Sequence, residues 1–184
     1  KGSCTLKAKS DRNGKSTRTY SKTFQAHKAM GRPASALTET HPSYTYNCPD
    51  MLTDGLRGAG PYNSGDFAGW YNKPVEVVIE MDGTPYSSVT LSTFVFRYDY
   101  VFNPLDLTVY VSEDGKDYSE VAHDEYPIEG GVDDGNGCNE YTVTFPETSA
   151  RYLKVTAACL EALPEWHSGK GNPGFVFVDE IVVL

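Results

Sequence analysis

The sequence predicts an all-β fold, namely an antiparallel β-sandwich that is preceded by a short β-hairpin. Two observations carry this prediction. Apolar and polar residues alternate with a period of two in many short segments, and no segment shows a convincing helical period. Clusters of Gly, Pro, Asp and Asn separate these segments, as turns between short strands do. A chain of 184 residues with 39% hydrophobic content suits one ordinary core.

The first predicted element is a β-hairpin in a basic N-terminal segment. Residues 4–9 and 16–25 are predicted strands, and Asn13-Gly14 supplies the positive φ angles of a tight turn between them. Residues 1–33 hold nine Lys and Arg and one Asp, whereas the rest of the chain holds seven Lys and Arg and 24 acids. So sharp a change of charge is typical of a domain boundary. We therefore interpret residues 1–32 as the end of a preceding small β domain that residues 33–184 do not need for folding.

The body of the chain, residues 33–184, starts irregularly and continues as strands. Residues 33–50 have no clear period, and five glycines between positions 55 and 69 indicate a long structured loop that reaches Trp70. Alternating strands are predicted over residues 75–81, 87–98, 105–112, 141–145, 151–157 and 175–184. Many short strands with tight turns and no helix favour a sandwich.

Charge and hydropathy exclude two classes of partner. The net charge of −9 argues against nucleic acid and against anionic membranes, because both require a basic surface. No apolar run approaches the ~20 residues that span a bilayer. The four cysteines have no metal-binding spacing, and their even number fits either disulfides or buried free thiols. They are Cys4, Cys48, Cys138 and Cys159.

Six short segments, taken in order, resemble a coagulation-factor 5/8 type C (discoidin-like) domain. They are Leu52–Gly58, Gly69–Tyr71, Leu107–Gly115, Ala150–Val155, Leu163–His167 and Phe177–Ile181. More narrowly, residues 33–184 are similar to the version of this domain at the C-terminus of bacterial β-N-acetylhexosaminidases, also called chitobiases. The resemblance implies a galactose-binding-like jelly roll that serves an exported glycoside hydrolase as a non-catalytic carbohydrate-binding or accessory module.

The resemblance does not make this chain an enzyme. The catalytic barrel of such hydrolases has no counterpart in these residues. A glycosidase needs two carboxyl groups, or one carboxyl and the acetamido group of its substrate, facing one cleft. Asp179 and Glu180 are neighbours on a predicted strand and are expected to point to opposite faces. We therefore expect no hydrolysis of N-acetylglucosaminides by this chain.

Aromatic residues in loops are the candidate carbohydrate-binding residues. An exposed ring covers the apolar face of a sugar, and polar side chains beside it bond the hydroxyls. The predicted site lies where loops converge at one end of the sandwich, and it comprises Tyr44, Tyr46, Tyr62, Arg97, Tyr100, Trp166 and His167. The expected partners are N-acetylglucosamine- or galactose-type glycans and the catalytic domain of the same chain. If the rings prove buried, the alternative is a structural or protein-docking module that braces the catalytic domain without binding sugar.

The resemblance also implies one structural Ca²⁺ ion. By resemblance, Asp54 and Glu180 would supply carboxylates, and Met51, Leu56 and Asp179 would supply main-chain oxygens, which suit calcium. The alternative is a metal-free loop in which Asp54 caps a turn and Arg57 pairs with Glu180. Three histidines have no metal spacing and are expected at the surface: His27, His41 and His123.

Overall fold

A computed structural model describes residues 3–10 and 18–184, and the side chains from residue 22 onward. The predicted N-terminal strands are present as β1 (Ser3–Ser10) and β2 (Arg18–Gln25), which pair antiparallel. The predicted turn at Asn13-Gly14 and the side chain of Cys4 lie outside the described residues. Cys48, Cys138 and Cys159 are free thiols.

Ten further strands form the body of the domain. They are β3 (Ala34–Ala36), β4 (Leu56–Arg57), β5 (Ala68–Tyr71), β6 (Val75–Glu80), β7 (Tyr86–Val95), β8 (Asp106–Ser112), β9 (Ser119–Glu125), β10 (Gly137–Thr148), β11 (Tyr152–Ala157) and β12 (Phe175–Val183). One sheet has the order β10-β7-β12-β5, the second β3-β6-β11-β8-β9, and a small third sheet β1-β2-β4. Three short 3-10 turns are the helical elements of the described residues, at Pro42–Tyr44, Asp50–Thr53 and Arg97–Asp99. None of them is long and apolar enough to cross a membrane.

The core lies between the four-stranded and five-stranded sheets. Strand β6 alternates between buried and less buried residues, and its neighbour β11 does the same, as a half-buried strand requires. Strand β12 differs, because every residue from Val176 to Val183 is buried. The 3-10 turn at Asp50–Thr53 and strand β4 pack against β12 and cover its second face. The predicted all-β antiparallel sandwich is thus confirmed.

Four strands differ from the sequence prediction. β3 lies in the segment predicted as irregular, and β4 lies in the segment predicted as a loop. Strand β5 occupies the end of the segment predicted as a loop, because Ala68 and Trp70 are fully buried and pair with β12. Strand β9 was not predicted at all. It lies at the edge of its sheet beside β8, and five of its seven residues are exposed, so its sequence carries no buried face.

The N-terminal segment packs on the sandwich across the predicted boundary at residue 32. Strand β2 pairs with β4, and the Lys28 amide donates to the Val183 carbonyl at 2.8 Å. Ala29 is fully buried and belongs to the main core. Lys22 pairs with Asp66. The basic segment therefore contacts the acidic body directly, and the boundary at residue 32 stays a prediction.

Candidate functional site

The start of β12 marks the end of the sandwich where the candidate loops meet. The Phe175 amide donates to the Tyr100 carbonyl at 2.8 Å, and the Phe102 amide donates to the Phe175 carbonyl at 2.9 Å. The chain that follows β7 is thereby tied to the first residue of β12. The Tyr44 ring lies 5.8 Å from the Phe175 ring, centroid to centroid, and adds the segment before β4 to the same end.

Three rings form a continuous row on this end, which we call the aromatic row: Tyr62, Phe96 and Tyr98. The centroids of Tyr62 and Phe96 are 6.5 Å apart with their planes 24° from parallel. The centroids of Phe96 and Tyr98 are 5.6 Å apart. The row is supported from below by Phe177, whose ring lies 4.8 Å from that of Tyr62. Tyr98 is 50% exposed, so the outer part of the row faces solvent.

A carboxylate stands at each end of the aromatic row. The Tyr62 hydroxyl donates to Asp99 Oδ2 at 3.0 Å, and the Tyr98 hydroxyl donates to Asp133. Partial burial and the bond to Asp99 raise the pKa of Tyr62 to about 12. The bond to Asp133 likewise raises the pKa of Tyr98. Both phenols therefore keep their protons at neutral pH and hold the two carboxylates in place.

Arg97 connects two loops from inside the protein. Contrary to the prediction, it does not line an exposed surface. Only 5% of the residue is exposed, and Nη1 donates to the carbonyls of Glu129 and Gly131 at 2.6 and 2.9 Å. Its amide donates to Asn136 Oδ1 at 2.9 Å. Nη1 is thus occupied by main-chain oxygens of the loop between β9 and β10, whereas Nη2 lies 3.4 Å from Asn103 Oδ1 and Nε has no partner among the described residues. Arg97 positions the neighbouring Tyr98 from inside the protein.

His167 is also buried, with 4% of the residue exposed. Like Arg97, it bonds main-chain groups of the protein. The Gly169 amide donates to His167 Nδ1 at 2.9 Å, so Nε2 carries the proton and donates to the Arg97 carbonyl at 2.6 Å. The Tyr100 ring packs on His167 at 5.1 Å. A Cβ at position 169 would lie 2.2 Å from the Tyr100 hydroxyl, so this approach requires glycine.

The other predicted sugar residues lie at the same end with different exposure. Tyr46 and Trp166 are 45% and 42% exposed, whereas Tyr44, Tyr62 and Tyr100 are half-buried. Tyr98 and Asp99 lie in the loop from Arg97 to Tyr100 that the sequence placed at the predicted site, and Tyr98 was one of its candidate loop aromatics. The sequence interpretation did not select Phe96 or Asp133. Asp133 has no local sequence signal, because only folding brings it to Tyr98.

The residues predicted to bind metal also come together, around a pocket of about 180 Å³ beside β12. Met51, Asp54, Leu56 and Asp179 are among its lining residues, and Glu180 is not. Asp179 Oδ1 is buried without a hydrogen-bond partner. Among the residues from position 22 onward, no group of three or more His, Cys, Asp or Glu side chains is arranged to hold a metal. A cation here would depend on main-chain oxygens, which calcium accepts.

Both acidic residues of β12 face the segment around β4, contrary to the expectation that they point to opposite faces: the Gly58 amide donates to Asp179 Oδ2 and the Gly55 amide donates to Glu180 Oε2, each at 2.8 Å. The pairing of β12 with β7 shifts register between Val178 and Glu180, and this bulge breaks the alternation at Asp179. Asp179 is 2% exposed and Glu180 is fully buried. Burial raises the pKa of both carboxyls, that of Glu180 to about 9, with further contributions from Asp54 and Asp179. Burial also raises the pKa of Asp54.

Glu180 is held by His27, whose side chain is fully buried, so His27 is not the surface residue expected from the sequence. The Val183 amide donates to His27 Nδ1 at 3.4 Å, so Nε2 carries the proton and donates to Glu180 Oε1 at 3.1 Å. The Gly55 amide donates to Glu180 Oε2 at 2.8 Å. Burial, helped by the charge of Arg57, lowers the pKa of His27 to about 4. At neutral pH the imidazole is therefore neutral.

The turn before β4 is capped by Asp54 as the metal-free alternative proposed, but Arg57 has other partners. Asp54 Oδ1 accepts the Leu56 amide at 2.7 Å. Arg57 Nε lies 3.4 Å from Asp179 Oδ2, and Nη2 lies 2.7 Å from Glu140 Oε1. The expected pair of Arg57 with Glu180 is wrong, because the bulge turns Asp179 toward the guanidinium.

The architecture of this chain is similar to that of solved carbohydrate-binding modules. One neighbour is the third CBM32 module of a family 31 glycoside hydrolase from Clostridium perfringens, with 18% identity over 85% of this chain and 92% of that chain and a TM-score of 0.51. The chain has the fold of CBM32 carbohydrate-binding modules. A second neighbour with this fold is CpGH89CBM32-5 from Clostridium perfringens, solved in complex with GalNAc-β-1,3-galactose. Its identity is 20% over 87% of this chain and 99% of that chain, and its TM-score is 0.51. Comparisons with family models and with curated protein sequences give no match.

Proposed function

We propose that this domain is a non-catalytic carbohydrate-binding module of an exported glycoside hydrolase of the β-N-acetylhexosaminidase (chitobiase) type. The aromatic row carries the proposal, because it presents an exposed ring beside two carboxylates at the loop end of the sandwich. The neighbours with the CBM32 fold support it, since both are modules of that class and one was solved with an amino-sugar-containing disaccharide. The catalytic domain of the same chain would be its second partner.

The row would bind a sugar by stacking and by hydroxyl contacts. The Tyr98 ring covers the apolar face of a pyranose, and the free lone pairs of Asp99 and Asp133 accept sugar hydroxyls. The site is shallow, and a single stacked ring with a few hydroxyl bonds typically corresponds to a Kd near a millimolar, about −4 kcal/mol. N-acetylglucosamine- and galactose-type sugars are the first ligands to test.

Replacing Tyr98 with Ala is expected to weaken sugar binding by about 1–2 kcal/mol, because the stacking surface is lost. This corresponds to a Kd roughly 5–30 times higher. NMR titration of the chain with oligomers of N-acetylglucosamine and of galactose measures the change through resonances of the loops around residues 62, 98 and 133. Tyr118→Ala, which removes a ring that stacks on Lys154 away from the row, is the matched control and should bind as the unmodified chain does. If no sugar shifts these resonances at millimolar concentration, the bracing alternative replaces this proposal.

We also propose that the pocket beside β12 holds the structural Ca²⁺ ion. Asp54 and Asp179 would supply carboxylate oxygens, and Met51 and Leu56 main-chain oxygens. The unpartnered Asp179 Oδ1 supports this, because Arg57 and the Gly58 amide reach only Asp179 Oδ2, and a buried carboxylate oxygen without a partner is costly. Glu180 would not be a direct ligand of the ion, since both of its oxygens already accept hydrogen bonds from protein donors.

Millimolar Ca²⁺ is expected to raise the melting temperature of the chain, and a chelator is expected to reverse the rise. At a free concentration about 100 times the Kd, binding to the folded state alone adds about 2.7 kcal/mol. For a chain of this size that is roughly 5–10 °C. Asp54→Asn should abolish most of the rise, whereas Asp117→Asn, an exposed acid in another loop, should retain it. Equal melting curves in calcium and in chelator would contradict the proposal.

A further inference from the structure

The loop between β4 and β5 borders both the pocket beside β12 and the aromatic row. Gly58, Gly65 and Asp66 are among the residues that line the pocket. Tyr62 lies between them in the sequence, and its ring is the member of the aromatic row that stacks on Phe96. The same loop therefore carries one wall of the pocket and one ring of the sugar surface.

The segment around Tyr46 also borders both places. Asn47 lines the pocket. The neighbouring Tyr46 ring is 6.5 Å from that of Tyr44, which in turn is 6.0 Å from that of Tyr62, centroid to centroid. The Tyr46 ring also lies against Gly65, since a Cβ at that position would be 3.8 Å from it. Tyr44 and Tyr46 thereby continue the line of rings from the aromatic row to the rim of the pocket, where Tyr46 is 45% exposed.

Both segments have a backbone that is costly to order. Tyr46 has a φ of 44°, in the left-handed region that disfavours residues with a side chain. The loop between β4 and β5 contains Gly58, Gly60 and Gly65, and glycine loses more conformational freedom on ordering than any other residue. Because these segments border both places, a ligand bound at one of them reduces the cost of ordering for the other.

The pocket contains a group that itself points to a cation. Asp179 lines it, is 2% exposed, and leaves Oδ1 without a hydrogen-bond partner. A cation held by Asp54, Asp179 and the main-chain oxygens of Met51 and Leu56 would fix the two points from which the segments extend. The Met51 amide donates to the Asn47 carbonyl at 3.1 Å, next to Tyr46, and Leu56 belongs to β4, which the loop follows.

We propose that cation binding in the pocket beside β12 regulates glycan binding on the aromatic row, so that the calcium-loaded chain binds sugar more tightly than the calcium-free chain. The proposal rests on the carbohydrate-binding function and the calcium site proposed above, and it states how the second controls the first. The coupling is reciprocal: the sugar must raise the affinity for calcium by the same factor. Couplings of this kind are typically about 5–150-fold, and we expect the lower end, because the two ligands share segments of the chain and no direct contact.

The test is an NMR titration of the chain with oligomers of N-acetylglucosamine and of galactose, in millimolar Ca²⁺ and in chelator with KCl added to equal ionic strength. We expect a sugar Kd about fivefold lower in calcium. Titrating Ca²⁺ into the sugar-saturated and the sugar-free chain should give the same ratio of calcium affinities.

Two variants locate the effect. Asp54→Asn should abolish the difference between calcium and chelator while leaving the sugar Kd in chelator unchanged, because asparagine can still accept the Leu56 amide that Asp54 accepts. Asp117→Asn, at an exposed acid in the turn between β8 and β9, is the matched control and should keep the full difference.

The outcomes separate this inference from the two proposals on which it rests. If no sugar binds in either condition, the carbohydrate-binding function is overturned. If sugar binds but calcium does not bind, the calcium site is overturned and this inference with it. If both bind and the sugar Kd is the same in calcium and in chelator, only this inference is overturned. A calcium effect that persists in Asp54→Asn would also overturn it, because the ion would then act elsewhere, for example at the exposed Asp99 and Asp133.

Discussion

A chain that begins at Pro33 is expected to lose most of the stability of the intact chain, whereas a chain that begins at Arg18 is expected to retain it. The shorter chain lacks His27, Lys28 and Ala29. It loses the bond from the His27 imidazole to Glu180 and the bond from the Lys28 amide to the Val183 carbonyl. It also leaves a void where Ala29 is fully buried in the main core.

The size of this loss follows from the burial of Glu180. Leaving a buried, uncharged polar group without its hydrogen-bond partner typically costs about 1–3 kcal/mol, and the protonated Glu180 carboxyl loses the His27 imidazole in this way. The lost pairing of β2 with β4 and the exposed apolar surface add to it. Small domains have only about 5–15 kcal/mol of stability, so the shorter chain should unfold at much lower urea concentration or fail to fold.

Urea unfolding followed by tryptophan fluorescence measures the difference, because Trp70 is fully buried in the core. The chain beginning at Arg18 is the control, since it lacks β1 but keeps β2, the pairing of β2 with β4 and the contacts of His27, Lys28 and Ala29 with the sandwich. Equal unfolding midpoints for the two shortened chains would contradict the packing role of residues 25–31 and would restore the independent boundary expected from the charge pattern.

The fold could be predicted from the sequence where one face of a strand is buried. β6, β8 and β11 have alternating apolar residues, and their positions follow from that pattern alone. β9 could not be predicted, because an edge strand with mostly exposed residues has no such pattern. β5 was hidden by its flanking glycines, although Trp70 is fully buried.

The site could be predicted only in part, for a related reason. Sequence patterns identify loop aromatics, and these do meet at one end of the sandwich. Sequence patterns do not distinguish an exposed ring from a buried polar side chain that connects loops. Arg97 and His167 were therefore assigned to sugar contact, although they bond main-chain groups of the protein. The bulge at Asp179 has no local sequence signal either, because the register of β12 against β7 decides it.

The charge pattern of the sequence is also compatible with more than one structure. A basic segment followed by an acidic body is typical of a boundary between domains, but it also fits two oppositely charged parts that pack on each other. Lys22 pairs with Asp66, and Arg32 pairs with Asp82. Both descriptions fit the same sequence, and the pairing of β2 with β4 shows that the two parts are in contact.

Glu180 is expected to make the chain less stable as pH rises from about 6.5 to about 9. Burial and the neighbouring Asp54 raise its pKa from 4.5 to about 9, so the folded chain keeps a proton that the unfolded chain has released. Raising the pH across this window therefore favours the unfolded state, by up to about 1.4 kcal/mol per pH unit for one proton. Stability that depends on this proton is fully present below pH 4.5 and is lost as pH approaches 9.

His27 opposes this effect at lower pH. Its pKa is lowered from 6.5 to about 4, so between these values the unfolded chain holds a proton that the folded chain lacks, and stability rises with pH. The effects of His27 and Glu180 therefore offset each other between about pH 4.5 and 6.5. Above 6.5 the imidazole is neutral in both states, so it no longer offsets the effect of Glu180.

Glu180→Gln is expected to remove most of the decline between pH 6.5 and 9, because glutamine has no proton to lose in this range. Urea unfolding as a function of pH measures the slope, with a chelator present so that calcium does not compete with the proton. Glu147→Gln, an exposed carboxyl on β10, is the control and should keep the slope of the unmodified chain. The slope is the quantity to compare, because the amide also changes the hydrogen bonds to His27 and Gly55. A Glu180→Gln chain that declines as steeply as the unmodified chain would show that Glu180 is ionised in the folded state, and the buried carboxyl would then need a cation beside it at neutral pH.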